Sequence, residues 1–362
     1  MVTLLANLIE LPLHDKRPSR VTILYSELAD YTLACLKALV AHEVDLLLIH
    51  WPINPEAPFQ LDLSFCEHYS RDTLTDTQLE EIVLKNNPGI ILCSGWMDKG
   101  YVNVCKHFYK KIPTVLSMDN HWIGSWRQIF ASMMAPFTIQ RAFNAAFVPG
   151  AVQKQYALKL GFSENHVRTG FYSADVDRFW KYHTETEKAK KLPKRFLYLG
   201  RYVKHKGIFD LWEAFRRFHQ KHSDWELWCV GTGDQFDSRV ESEGIRHFGF
   251  VQPDRMLPIL RETGVYILPS HFEPWGVSVH EMAAAGFPML LSDKIGAREA
   301  FLFDKENGAV FQSGSVESIL SKMKWIAGKT DEELLQMSNR SHALGLMNTP
   351  GIWAEKLLSF TK

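Results

Sequence analysis

The sequence predicts an α/β protein of two parallel-sheet domains facing each other across a cleft. Three observations lead there: the 362-residue length, apolar runs that alternate with helical patterns, and a charged interruption after which that alternation restarts. A chain this long exceeds one average core and suits two. Strands that are apolar throughout, with helices between them, belong in a parallel sheet buried on both faces.

The first half opens with "VTILY" (21–25) and an amphipathic stretch carrying Leu33, Leu36, Leu39 and Val40 on one side. "VDLLLIH" (44–50) follows, then a helical pattern near 74–86, "GIILC" (89–93), a further helix and "IPTVLSM" (112–118). "AAFVPG" (145–150) and "HVRTG" (166–170) close a domain over 1–172. Residues 173–194 bring charge and a proline and read as a linker. The second domain, 195–349, repeats the rhythm with strands at 196–200, 224–231, 245–251, 264–270, 288–292 and 308–311. In paired sheets of this kind, ligands collect at the carboxyl ends of the strands.

Forty-one basic residues balance forty-one acidic ones, so overall charge points neither to nucleic acid nor to an anionic membrane as main partner. Five scattered cysteines without a CxxC pair read as small buried hydrophobes in a reducing compartment. The first twenty residues lack a basic start and are interrupted by Asn7 and Glu10, which makes a poor signal peptide. No apolar stretch approaches the roughly 20 residues that span a bilayer. A cytoplasmic protein is expected.

The densest motif is "PSHFEPWGVSVHEMAAAGFPMLLSD" (269–293). A strand ends at Ser270, a loop carries Glu273, and a helix runs from about Val277 to Ala285. Glu281, eight residues after Glu273, falls on that helix. Unbonded amides at a helix start attract anionic oxygens, and two carboxylates nearby suit sugar hydroxyls. The plainer alternative makes both glutamates helix-dipole and solvent residues. The small run Ala283–Gly286 argues against it, because it lets the helix sit close on the sheet and fixes where the carboxylates point.

In "FLYLGRYVKHKGIFDLWEAFRRF" (196–218), Arg201 follows the end of a strand and Lys206 opens a helix. Cations so placed would neutralise a diphosphate leaving group, unless this is only a solvated basic turn. "CVGTGD" (229–234) is weaker; Gly231 permits a close backbone approach, but a lone G-x-G is a common turn.

Taken in order, these segments resemble the retaining glycosyltransferases of family four, the group 1 glycosyl transferases, which build bacterial polysaccharides and glycolipids. Glu273 and Glu281 form an E-x7-E motif, "GRYVKHKG" is similar to that family's GR…KG element, and "NGAVF" (307–311) and "SVESI" (315–319) match its trailing segments. The resemblance covers residues 196–345 well and the first half in outline. It implies a GT-B fold of two Rossmann-like domains, with the last helix, 350–362, crossing back to the first. It implies that Arg201 and Lys206 hold the diphosphate of a nucleotide-sugar donor. Glu273 would contact the transferred sugar, helped by amides at Trp275, Gly276 and Val277, and Glu281 would accept from the ribose. The backbone near Val251 would border the base, with Gly231 beside the donor. The family uses no metal-binding D-x-D motif, none is evident here, and no cofactor or metal is expected.

The first half departs from the family pattern. The loop after the first strand, "YSELADY" (25–31), has no glycine to cradle phosphate. Where relatives place an acceptor-side histidine, this chain has Asp119, with His121 two residues on. Either could orient an acceptor hydroxyl or the donor sugar, and a carboxylate could stabilise an oxocarbenium-like state; alternatively Asp119 caps a helix beginning near Trp122. The large side chains of "WIGSWRQIFASMMAPF" (122–137) read as core at helical spacing, with an acceptor platform or a shallow membrane dock aided by Lys106, Lys110 and Lys111 as second readings. Ser94, Trp96 and Asp98 are further candidates at the cleft edge.

The expected activity is transfer of a sugar from a nucleotide diphosphate to a hydroxyl of a glycan or lipid-linked acceptor. The alternatives are a nucleotide-sugar epimerase or hydrolase of the same fold, and a noncatalytic sugar-nucleotide-binding protein.

Overall fold

The strand β1 (Arg20–Tyr25) is buried at every position after its first, as a strand covered on both faces must be. In the computed structural model, which describes residues 18–185 and 191–361, it lies near the middle of a seven-stranded sheet. The segment before Pro18, read above as no signal peptide, and residues 186–190 of the expected linker lie outside the described residues. The other strands are β2 (Asp45–His50), β3 (Glu67–Ser70), β4 (Ile90–Ser94), β5 (Thr114–Ser117), β6 (Ala145–Val148) and β7 (Val167–Thr169). The order is β3-β2-β1-β4-β5-β6-β7, every pairing parallel. Short, half-exposed β3 was not anticipated, because an edge strand need not be apolar.

Helices α1 (Asp30–Val40), α2 (Asp76–Asn86), α3 (Lys99–Phe108), α4 (Trp126–Met134) and α5 (Ala151–Lys159) connect these strands. Within the expected linker, α6 (Val176–Glu185) buries Val176, Phe179 and Tyr182 in the second domain's core. The second sheet comprises β8 (Arg195–Leu199), β9 (Glu226–Val230), β10 (Ile245–His247), β11 (Val265–Leu268), β12 (Met289–Ser292) and β13 (Gly308–Phe311). It runs β10-β9-β8-β11-β12-β13, again all parallel. Its helices are α7 (Ile208–His219), α8 (Leu257–Glu262), α9 (Val277–Ala284), α10 (Arg298–Phe301), α11 (Val316–Ala327) and α12 (Asp331–Gly345). The last, α13 (Pro350–Leu358), returns to the first domain, where Trp353, Ala354 and Leu357 join α1 in the core on one face of the first sheet.

One expectation fails. Of the large side chains of 122–137, Trp122 packs against the core, its ring 5.5 Å from that of Tyr156, but the others do not. The helix begins at Trp126 rather than near Trp122, capped by Ser125 Oγ accepting from the Gln128 amide, and buries none of its own residues. Trp126, Phe130, Met133, Met134 and Phe137 are exposed. Helical spacing identifies an apolar stripe but not what covers it. This flank of the sheet is already filled by α3 and by Ala135, Ile139 and Phe143, which share one core cluster. The late start also leaves Asp119 outside the cap.

Trp353 is 2% exposed and its ring lies 5.9 Å from that of Phe147. Trp353→Ala is expected to cost about 3–5 kcal/mol of first-domain stability, read by chemical denaturation.

Candidate active site

Both sheets change direction of winding between neighbouring strands, β1 and β4 in the first, β8 and β11 in the second. Loops leaving such a pair diverge to opposite faces and open a crevice. Those leaving β8 and β11 are the two motif segments, so chain order alone brings Arg201 and Lys206 beside Glu273. A cavity of about 310 Å³ lies there between the domains, at the lower end of the range for small-molecule sites. Asp119, Arg201, Lys206, Gly231, Val251, Glu273, Trp275, Gly276, Val277 and Glu281 all line it. His121 does not.

The second-domain wall is built by close backbone packing. A Cβ on Gly231 would stand 2.0 Å from the Gly200 carbonyl oxygen, and its φ is +136°, so only glycine fits where the ends of β8 and β9 meet. The loop carrying Glu273 is held as a strand-like bridge: the Glu273 amide donates to the Lys294 carbonyl and the Gly296 amide to the Glu273 carbonyl. Gly276 then caps α9 in the left-handed conformation. The Glu273 carboxylate pairs with the Lys206 ammonium and accepts from Ser270 Oγ at 3.3 Å.

Glu281 lies on α9 a turn inside the helix. Burial pushes its carboxyl up to about 8, the negative charges of Asp30 and Asp175 act the same way, and Arg178 opposes them. Arg178, on α6, pairs with Asp30 of α1 at 2.5 Å and Asp175 at 3.1 Å, which ties the linker helix to the first domain. Next in sequence, His280 is wholly buried: its Nδ1 accepts from the Ala174 amide at 3.0 Å and its Nε2 donates to the Gly345 carbonyl at 2.8 Å. These bonds fix the rotation of α9 and hence where Glu281 points.

From the first domain, Asp119 follows β5 and reaches the cavity. Burial raises its carboxyl above the ordinary carboxylate range, Tyr172 OH opposes this by donating at 3.2 Å, and the charge of Glu273 raises it further. His121 points elsewhere. Its Nε2 donates to the Pro274 carbonyl at 2.5 Å, and buried Gln153 donates to the same oxygen at 2.6 Å. The histidine therefore latches the first domain to the loop that carries Glu273. Asp98 is structural too, capping α3 and pairing with Arg71 at 2.9 Å.

Sequence reading missed the loop after β2. Asn54, Glu56, Ala57 and Phe59 line the cavity from the first domain. Glu56 pairs with Arg201 at 2.8 Å, and its carbonyl accepts from Thr232 Oγ. Phe59 packs edge-on against Phe250, with ring centres 5.4 Å apart, beside Val251. No motif marks this segment; its prolines and scattered acids look like an ordinary loop. Tyr172 was likewise read only as the last residue of the first domain.

A D-x-D triplet does occur, at Asp175-Val176-Asp177, correcting the sequence reading. Asp175 is engaged by Arg178 and Asp177 faces solvent. Among the described residues no cluster of three or more His, Cys, Asp or Glu side chains could hold a metal ion.

Residues 178–342 match the family model described as "Glycosyl transferases group 1". That match makes this stretch, a little under half of the chain, a glycosyltransferase-like domain similar to group 1. Among curated relatives, Mycobacterium tuberculosis glycogen synthase is 32% identical over 117 residues, 30% of this chain and 28% of that protein. Staphylococcus aureus CapM, a capsular polysaccharide biosynthesis glycosyltransferase, is 25% identical over 202 residues, 51% of this chain and 52% of that one. The chain thus spans about half or less of the length of these relatives. Among solved structures, a Rickettsia africae glycosyltransferase superposes with a TM-score of 0.71 at 17% identity, covering 95% of this chain and 98% of that one. Anabaena HepE, solved with UDP and glucose, superposes with a TM-score of 0.69 at 13% identity over 94% and 98% of the two chains. Together with the two parallel sheets, these likenesses establish the GT-B fold, and the glycosyltransferase domain supplies the cavity wall that carries Arg201, Lys206, Glu273 and Glu281.

Two outcomes follow for ligand binding. If ribose hydroxyls donate to ionised Glu281, nucleotide affinity rises with pH and levels off above about 8, because below that value a proton must leave before the carboxylate can accept twice. Calorimetry in buffers of different ionisation heat reads the released proton; Glu281→Gln abolishes the pH dependence and Glu281→Ala weakens binding roughly tenfold to a hundredfold. If a diphosphate binds Arg201, it must displace the half-exposed Glu56 carboxylate paired there, so Glu56→Gln is then expected to tighten nucleotide diphosphate binding by up to about fivefold, and Arg201→Ala to weaken it without unfolding the protein.

Proposed function

We propose that the chain is a retaining glycosyltransferase that moves a sugar from a nucleotide diphosphate onto a hydroxyl of a glycan or lipid-linked acceptor. One observation carries this reading: two cations and two carboxylates from the loops after β8 and β11 and from α9 converge on a single interdomain cavity, opposite a partly buried carboxylate, Asp119. Support also comes from the HepE structure, which holds UDP and glucose, and from the capsular polysaccharide biosynthesis role of CapM.

In this mechanism the diphosphate displaces Glu56 from Arg201 and Glu273 from Lys206, and lies against both cations. The freed Glu273 accepts from hydroxyls of the transferred sugar, and Glu281 accepts from the ribose. The acceptor oxygen attacks the anomeric carbon from the side the diphosphate leaves. The bond from that carbon to the phosphate oxygen breaks, and the acceptor proton passes to the departing diphosphate. As positive charge develops on the sugar ring, the Asp119 carboxylate stabilises it across a site from which water is excluded. Arg201 and Lys206 act most strongly at this point, because charge on the diphosphate is growing. No residue is assigned to hold a metal, and transfer is expected to proceed unchanged in chelator.

Incubation with a panel of nucleotide sugars, with and without glycan and lipid-linked acceptors, tests the proposal. Transfer product of unchanged anomeric configuration is the expected result, with Asp119→Asn lowering its rate by roughly a hundredfold or more while nucleotide affinity holds. Epimerised or hydrolysed donor in the absence of acceptor overturns it in favour of an epimerase or hydrolase. Saturable binding without turnover of any donor would leave a nucleotide-sugar-binding protein.

A further inference from the structure

The uncovered side of α4 has a chemistry that the transferase site does not use. Trp126, Met133 and Phe130 are 73%, 70% and 61% exposed, and Ile129 and Phe137 extend the same surface. An unpartnered apolar surface of this kind marks an interface in a water-soluble fold. Its surroundings are basic. From Lys99 to Ser163 the sequence holds eight lysines and arginines, of which Lys154 pairs with Glu164 at 2.9 Å, and the one acidic residue of the stretch, Asp119, faces the cavity. The chain as a whole is neutral, so this is a local imbalance. Arg127 and Arg141 lie over the rings of Trp126 and Phe137 at 5.3 and 5.9 Å, and Lys159 lies over Trp122 at 4.8 Å. Cations rim the apolar surface at the places where a bilayer's headgroups would meet it.

We propose that this face docks the first domain on an anionic phospholipid membrane, with the α4 aromatics entering the headgroup boundary and the flanking cations binding lipid phosphates. Charge decides against a second copy as occupant. A two-fold contact would set each basic rim against its twin. The face adjoins the active site: Gln128 of α4 donates to the His121 carbonyl at 2.5 Å, and His121 bonds the loop that carries Glu273. Resting on the transferase reading, this position favours a lipid-linked acceptor, held in the bilayer beside Asp119, over a free glycan.

Co-sedimentation of the full chain with vesicles tests the docking. Binding is expected to vesicles of equimolar phosphatidylcholine and phosphatidylglycerol, to weaken in high salt, and to be negligible on phosphatidylcholine alone. Phe130→Glu should lower partitioning by about tenfold or more, with circular dichroism and nucleotide calorimetry unchanged because the side chain faces solvent. Three results overturn the proposal: no binding to anionic vesicles, binding indifferent to Phe130→Glu, or a dimer in sedimentation velocity that the same substitution dissolves. Nucleotide binding measured on the same preparation distinguishes failure of the membrane dock from failure of the transferase reading. Vesicle binding without nucleotide binding would retain the dock and remove the lipid-linked acceptor.

Discussion

The carbonyl of Pro274 is the point on which the site turns. It accepts from His121 and from Gln153, both belonging to the first domain. It also sits one residue after Glu273 and two before the glycine that caps α9. The neighbouring Trp275 ring lies so close to Gly150 that a Cβ there would stand 2.6 Å from it. One short loop therefore positions the Glu273 carboxylate, starts the helix that bears Glu281, and receives the other domain. The contact between the domains and the placing of the two carboxylates thus share one segment.

The cavity contains its own substitutes for a ligand. Lys206 is satisfied by Glu273 and Arg201 by Glu56, so neither cation waits uncompensated in a half-buried place. An unpaired charge there would be costly. In the proposed mechanism a diphosphate supplies the same negative oxygens and frees both carboxylates, one from each domain. On that reading, binding exchanges partners at the two cations. The partly buried carboxyls of Asp119 and Glu281 complement this. Both are pushed upward by burial and by neighbouring acids, so their ionisation responds to what enters the cavity.

Much of this architecture was legible in the chain. The inner strands of both sheets are largely continuous apolar runs, and burial on two faces leaves a parallel sheet as the favoured arrangement. The motif residues sit directly after strands, and the order of those strands sends their loops to the crevice. What periodicity could not supply was the identity of each neighbour. The apolar stripe on α4 looked like core because a stripe records only that one side differs from the other. Glu56 and Phe59 carried no signal, since their roles arise from the opposite domain folding against them, nearly two hundred residues later for Phe250. His121 and Asp119 were both candidates on spacing, with Asp119 narrowly ahead because it takes the place without a gap. A difference of two positions after a strand turns one side chain into the cavity and the other toward Pro274.

By itself, then, the amino-acid order determined the two sheets, the cleft-edge positions of Arg201, Lys206, Glu273 and Glu281, and the glycines needed where backbones touch. These are local consequences of hydrophobic pattern, turn chemistry and chain order. Tertiary structure alone decided which carboxylate faces the cavity from the first domain, which acids pair with the two cations, and which apolar face was left bare. Each of those depends on contacts between segments far apart in sequence, where packing and the cost of burying charge select the partner.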